Sequence, residues 1–207
     1  CEEIVFNNRA FYVAAFFVCT VIFGYYAAHL KMDSSLEKMV PMHHEYIQNW
    51  FKHKDDLSLG NDLRIAVETT GKDIFDKDYL DVLHKISDEA FYNLDGVDKS
   101  KFQSLWTPNV RWVEVTEEGF IGGEVVPPNY DGSKESLKQV QANVLRSGQV
   151  GRLVGDDFKS SIVYVPLQYR DSSKGEKHDY RALSHQLEEN IRNKYQSDKI
   201  KIHIVGF

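Results

Sequence analysis

Residues 10–30 read AFYVAAFFVCTVIFGYYAAHL, a run without Asp, Glu, Lys or Arg. At about 1.5 Å per residue, a helix of this length reaches roughly 30 Å, the thickness of a bilayer's hydrocarbon core. A helix also satisfies its own backbone amides, as a segment in lipid must. Core helices of soluble proteins are usually shorter and carry a polar face, and this run shows none. Arg9 and Lys31 bracket it, and Phe11, Tyr12, Tyr25 and Tyr26 stand near its ends, where aromatic rings favour the membrane interface. The run is longer than a signal peptide's apolar region, and Tyr25-Tyr26-Ala27-Ala28-His29-Leu30 offers no cleavage pair of small residues separated by one. It reads as an uncleaved signal anchor, and Cys1 as a residue in mid-protein rather than an acylated first residue. Three regions follow: residues 1–31, a short N-terminus and transmembrane helix; 32–60, a connector; and 61–207, a soluble domain divisible near residue 130 into 61–130 and 131–207.

The residues after Leu30 have ordinary globular composition. Acidic residues exceed basic ones, 31 to 25, so the chain lacks the basic stripe that nucleic-acid binding requires. The two cysteines are Cys1 and Cys19, which leaves the soluble part without a disulfide framework or thiolate metal site. A cysteine-free exported domain fits a bacterial periplasm.

Residues 33–54, DSSLEKMVPMHHEYIQNWFKHK, form a polar connector broken by Pro41. Residues 63–69, LRIAVET, alternate apolar and polar and predict a strand. Asp76 predicts the cap of a helix, with Phe75 and Leu80 as a hydrophobic staple. Leu80, Leu83, Ile86 and Ala90 line its buried face, and the helix stops before Gly96. Short strands are predicted at 102–106 and 110–115, around Pro108, and a turn-rich stretch at 117–128. Ser133 predicts the cap of a second helix with Leu137, Val140 and Val144 on one face and Gly148 at its end. Residues 161–169 predict a strand in which Pro166, lacking an N–H, belongs at an edge or bulge. Asp179 predicts the cap of a third helix, striped by Tyr180, Leu183, Leu187, Ile191 and Tyr195. Residues 199–205 predict a closing strand with Ile200, Ile202 and Ile204 on one face. Strand–helix–strand units of this order predict a two-layer α+β fold.

The sequence contains no GxSxG, HExxH, phosphate-binding glycine loop or CxxC. His43-His44 reads as solvated connector, since adjacent side chains diverge and no second ligand pair lies nearby. Asp156-Asp157 reads as a polar turn rather than an acid/base pair, and His178-Asp179 as a helix start. No residue is assigned a catalytic, metal-binding or cofactor-binding role, no cofactor is implied, and an enzyme reading has no support.

Six strings carry a resemblance: LKMDSSLEKMVP (30–41), DGVDKSKFQSLWTPNVRWVEVTEEGF (95–120), GGEVVPPNY (122–130), LRSGQVGRLVGDDFKSSIV (145–163), GEKHDYRALSHQLEENIRNKY (175–195) and IHIVGF (202–207). In this order, and over nearly the whole chain, they resemble the N-terminal part of resistance-nodulation-division (RND) exporters of the MMPL-like hydrophobe/amphiphile branch. The resemblance implies a first transmembrane helix followed by a periplasmic porter domain of βαβ, ferredoxin-like units, in the bacterial inner membrane. It implies membrane lipid, the remainder of the transporter chain and an apolar or amphiphilic substrate as partners, assembly as a homo-oligomer, and no nucleic acid. The family's proton-relay carboxylates lie in later membrane helices, so none is expected among these residues, and Phe207 is expected to lead into a further helix. One membrane helix before an extracytoplasmic α+β domain is also the layout of bacterial sensor inputs. A membrane-anchored assembly domain is the third class; the six strings favour the exporter.

Overall fold

Leu63, Ile65, Val67 and Thr69 fall on alternate positions of the strand β1 (Asp62–Thr69), and all four are buried while Arg64 is exposed. Period-two burial of this kind requires cover on one sheet face, and a central strand has in addition a partner along each edge. In the computed structural model, which describes residues 8–30, 41, 44–49, 52, 62–117, 119–168 and 180–206, β1 has both. The chain divides into two units, Cys1–Lys52 and His53–Phe207.

The first unit holds helix α1 (Arg9–Ala28), none of whose residues is buried. It is long and apolar enough to cross a membrane. Thr20 within it donates to the Phe16 carbonyl at 2.8 Å, so its hydroxyl is satisfied inside the helix. Most of the connector lies outside the described residues; within it residues 45–49 are helical.

The second unit is a mixed α+β domain. Its elements run β1, α2 (Lys77–Tyr92), β2 (Arg111–Thr116), β3 (Gly119–Glu124), α3 (Lys134–Arg146), β4 (Ser160–Pro166), α4 (Tyr180–Gln186) and β5 (Ile200–Gly206). Between α4 and β5 the helix continues as a π-helical stretch, Leu187–Arg192, and a last α-turn, Asn193–Tyr195. The main sheet has the order β4-β1-β5, with β1 antiparallel to both neighbours. β4 and β5 therefore run parallel to each other on either side of β1, joined through α4. β1 comes from 61–130 and β4 and β5 from 131–207, so the two stretches share one sheet and one unit.

Register explains the burial. Val163, Ile65 and Ile204 lie side by side across the three strands, as do Ser161, Val67 and Ile202. Directly opposite residues share a face, so one sheet face is apolar. Leu80, Leu83, Ile86 and Ala90 of α2, Val140 and Val144 of α3, and Leu183, Leu187 and Ile191 join those residues in a single core. The caps form as the sequence predicts: the Asp76 carboxylate accepts from the backbone N–H groups of Asp78 and Tyr79, and the Ser133 hydroxyl accepts from that of Ser136. Pro166 ends β4 at the sheet's edge. Asp179 and the side chain of Tyr180 lie outside the described residues.

Two expectations need correction. Residues 102–106 form no strand: only Gln103 bridges to Tyr164 of β4. Ser104 and Thr107 close a local turn instead, with Ser104 N–H donating to Thr107 Oγ1 at 3.0 Å and that hydroxyl donating back to the Ser104 carbonyl at 2.7 Å. Backbone groups so engaged cannot extend a ladder. The stretch 117–128 is not only turns, because Gly119–Glu124 forms β3 and pairs with β2 as a separate two-stranded sheet. Glycine carries little strand propensity, but a Cβ on Gly123 would lie 3.3 Å from the Trp112 indole nitrogen, so the bare backbone leaves room for that ring.

Helix α2 is tied to the last turn before β5 through Glu89. Its carboxylate accepts from Lys194 Nζ at 2.7 Å, from Asn93 Nδ2 at 2.9 Å and from Tyr195 Oη at 3.4 Å. The Lys194 hydrogen bond, then that of Asn93, holds the carboxyl below its ordinary value of 4.5. A depressed folded-state pKa stabilises the fold above the unfolded value, and the gain is lost as pH falls through the folded one. Glu89→Gln should therefore be less stable than the parent at pH 7, with the gap closing below about pH 4.5. Urea midpoints across pH 3–7 measure it; a gap independent of pH would show that the charge contributes nothing.

Candidate functional site

The residues that the sequence offered for chemistry do not converge. His44 is exposed, its backbone N–H donating to the Pro41 carbonyl at 3.1 Å and its ring 5.5 Å from that of Tyr46, while His43 lies outside the described residues. Asp156 and Asp157 stand exposed in the turn before β4, where Asp157 Oδ1 accepts from the Lys159 backbone N–H at 3.0 Å. His178 and Asp179 are outside the described residues. Among the described residues no group of three His, Cys, Asp or Glu side chains is placed to hold a metal ion.

An open surface cleft lies where the helix ending at Tyr195 meets β5, lined by Arg192, Gln196, Asp198, Lys201 and His203 among others. Two of its polar groups are engaged: Arg192 pairs with Glu188 at 2.7 Å, and His203 Nε2 lies 3.0 Å from Glu68 Oε2. Arg192 Nε is buried without a hydrogen bond. The cleft offers mixed charges, with Ser197 also in its lining.

Two features stand out from ordinary packing. The first is a buried polar lock that periodicity does not reveal. Tyr79 of α2 donates to the Val67 carbonyl at 2.8 Å, with Ser161 Oγ 2.6 Å away, and burial pushes its phenol pKa up. The signal was present, since a tyrosine beside a helix's apolar stripe carries a hydroxyl that needs a partner when buried.

The second is the β2–β3 hairpin. On one face Arg146 of α3 stacks over the Trp112 ring at 4.0 Å and pairs with Glu114 at 3.0 Å. It also donates to Asn143 Oδ1 at 2.8 Å, and Asn143 in turn donates to the Val125 carbonyl at 3.0 Å. This side is fastened to α3. On the other face Val113, Val115 and Phe120 are 59, 73 and 80% exposed. A soluble surface rarely groups large apolar side chains so openly unless something docks there.

These residues define a class rather than an activity: an apolar helix long enough to cross a membrane, and an α+β domain that exposes an apolar hairpin. No protein-family model, curated protein or solved structure matches the chain.

Proposed function

We propose that the chain is the N-terminal part of a proton-driven RND exporter of the MMPL-like branch, supplying its first membrane helix and first periplasmic porter domain. The observation that carries this reading is the run of six strings in family order from Leu30 to Phe207. The helix-then-domain layout supports it. So does β4–helix–β5 flanking an antiparallel β1, an arrangement that a ferredoxin-like porter unit requires. In this reading porter domains shift as rigid bodies between access states, and protonation of intramembrane acids supplies the energy. The span of α1 contains no carboxylate, so that machinery belongs to other membrane helices, and this part anchors the domain and lines one side of a path for apolar or amphiphilic compounds or lipids.

The domain then faces the periplasm. Lys134 is exposed at the start of α3; Lys134→Cys, in a Cys1→Ser/Cys19→Ser background, should react with a membrane-impermeant thiol reagent in intact spheroplasts. Protection until lysis overturns the orientation. The coding sequence beyond Phe207 separates the exporter from a sensor: further membrane helices bearing carboxylates support the first, and one helix leading to a soluble signalling module replaces it with the second.

A further inference from the structure

We infer that the outer edge of β2 is a homotypic docking site, at which two copies of this chain pair β2 to β2 in antiparallel, two-fold fashion. The inference rests on the hairpin alone and is independent of the exporter reading.

Among the described residues β2 and β3 form a sheet of two strands, which leaves each with one edge that no described strand pairs. Such a hairpin is marginal by itself, and a free edge presents a row of unpaired backbone groups, a template for another strand. Within β2, Arg111, Val113 and Val115 share the exposed face, and Glu117 follows in the turn. A two-fold axis normal to the sheet at Glu114 places Arg111 opposite Glu117 of the second copy and Val113 opposite Val115 of the second copy. The symmetry repeats both pairs. The register therefore joins two opposite charges and two β-branched residues at each end, the cross-strand combinations that stabilise antiparallel pairs. On the other face Glu114 meets its own symmetry mate, and each of these carboxylates is already paired with Arg146 at 3.0 Å.

Neighbouring registers lose this match. A slip by one pair sets Arg111 opposite Val115 and Val113 opposite itself. Pairing through β3 instead sets Phe120 against glycine or glutamate in most registers and finds no basic partner, because GFIGGE carries none. The hairpin also contains Glu114, Glu117, Glu118 and Glu124 against the single Arg111. An anionic lipid surface would repel such a turn, which favours a second copy over a membrane as the occupant.

The register supplies its own test. Arg111→Glu sets glutamate against Glu117 in a homodimer, and Glu117→Arg sets arginine against Arg111. A dimer of one variant with the other restores attraction at both ends. The full chain in detergent, in the Cys1→Ser/Cys19→Ser background, is examined by sedimentation velocity, with circular dichroism confirming that each variant is folded. The unreversed chain should be dimeric, each reversal should weaken association by about tenfold or more, and the equimolar mixture should recover it. Glu114→Cys should form an intermolecular disulfide under mild oxidation, and Gln141→Cys, exposed on α3, should not. A monomeric unreversed chain, dimers indifferent to both reversals, or a mixture that stays monomeric overturns the inference. Dimers lost on Phe120→Ser but kept in both reversals also overturn it, since the occupant then packs on the hairpin's face and not its edge.

Discussion

Replacing Leu187 by alanine is expected to lower the stability of the α+β domain by about 2–5 kcal/mol. Leu187 is 2% exposed and stands between Leu183 and Ile191 on the buried side of the helix that covers the sheet. Burying a leucine side chain contributes about 1.5–3 kcal/mol, and the cavity that truncation leaves adds to the loss. The stripe is spaced four residues apart, whereas an α-helix turns every 3.6, so in a regular helix these side chains drift around the axis. The π-helical turn at Leu187–Arg192 is wider and offsets that drift, keeping Leu187 and Ile191 over the same core. The control is Arg192→Ala, which removes an i,i+4 pair with Glu188 from a partly exposed position and should cost only about 0.3–0.5 kcal/mol. Urea unfolding of the full chain in detergent, followed by tryptophan fluorescence, measures both. Equal small losses would show that the helix buries a different face.

Placing two arginines in α1, Val18→Arg with Ile22→Arg, is expected to expel the helix from the membrane. Both positions lie near the middle of Arg9–Ala28 and are exposed. An arginine at the centre of a span costs about 2.5–3.5 kcal/mol on insertion scales, and the lost Val and Ile add a few tenths each, so the pair costs roughly 6–8 kcal/mol. The parent chain should stay in the membrane pellet after carbonate extraction, and the double variant should move to the supernatant. Val18→Leu, which keeps the span apolar, should behave as the parent. Release of the parent chain, or retention of the arginine variant, would show that α1 does not span the bilayer.

These predictions concern features of different legibility. The apolar helix, the cap residues Asp76 and Ser133, and the stripes of α2, α3 and the helix through Leu187 were readable from spacing, because each depends on residues within one or two turns of one another. β1, β4 and β5 were readable by the same local logic, since alternation at a period of two requires only one covered face. The hairpin was half legible. Arg111–Thr116 has the residues of a strand, but GFIGGE reads as turn because glycine has no intrinsic preference for extended structure. Its pairing with β2 made it a strand, and the bare backbone at Gly123 leaves room for the Trp112 ring, whose indole nitrogen would lie 3.3 Å from an added Cβ. The reverse occurred at 102–106, where Phe102 and Leu105 are buried as strand residues would be, yet Ser104 and Thr107 turn the backbone on itself.

The candidate docking edge was less legible still. Arg111, Val113, Val115 and Glu117 form an unremarkable alternation, and only the sheet's two-strand extent among the described residues leaves their edge without a strand beside it. Arg146, on a helix well beyond the hairpin in sequence, covers one face and so determines which face is open.

By itself the sequence determined the span's length and apolarity, the helix caps, the buried stripes and the α+β class, all properties of short-range periodicity and backbone chemistry. Tertiary structure alone decided the β4-β1-β5 order, the hairpin as a separate sheet, the Tyr79 lock between Val67 and Ser161, and the Glu89 tie to Lys194. Apart from the hairpin, each of these joins residues far apart in the chain. Such contacts depend on which surfaces remain to be covered once the helices and strands have formed, and no local pattern encodes that remainder.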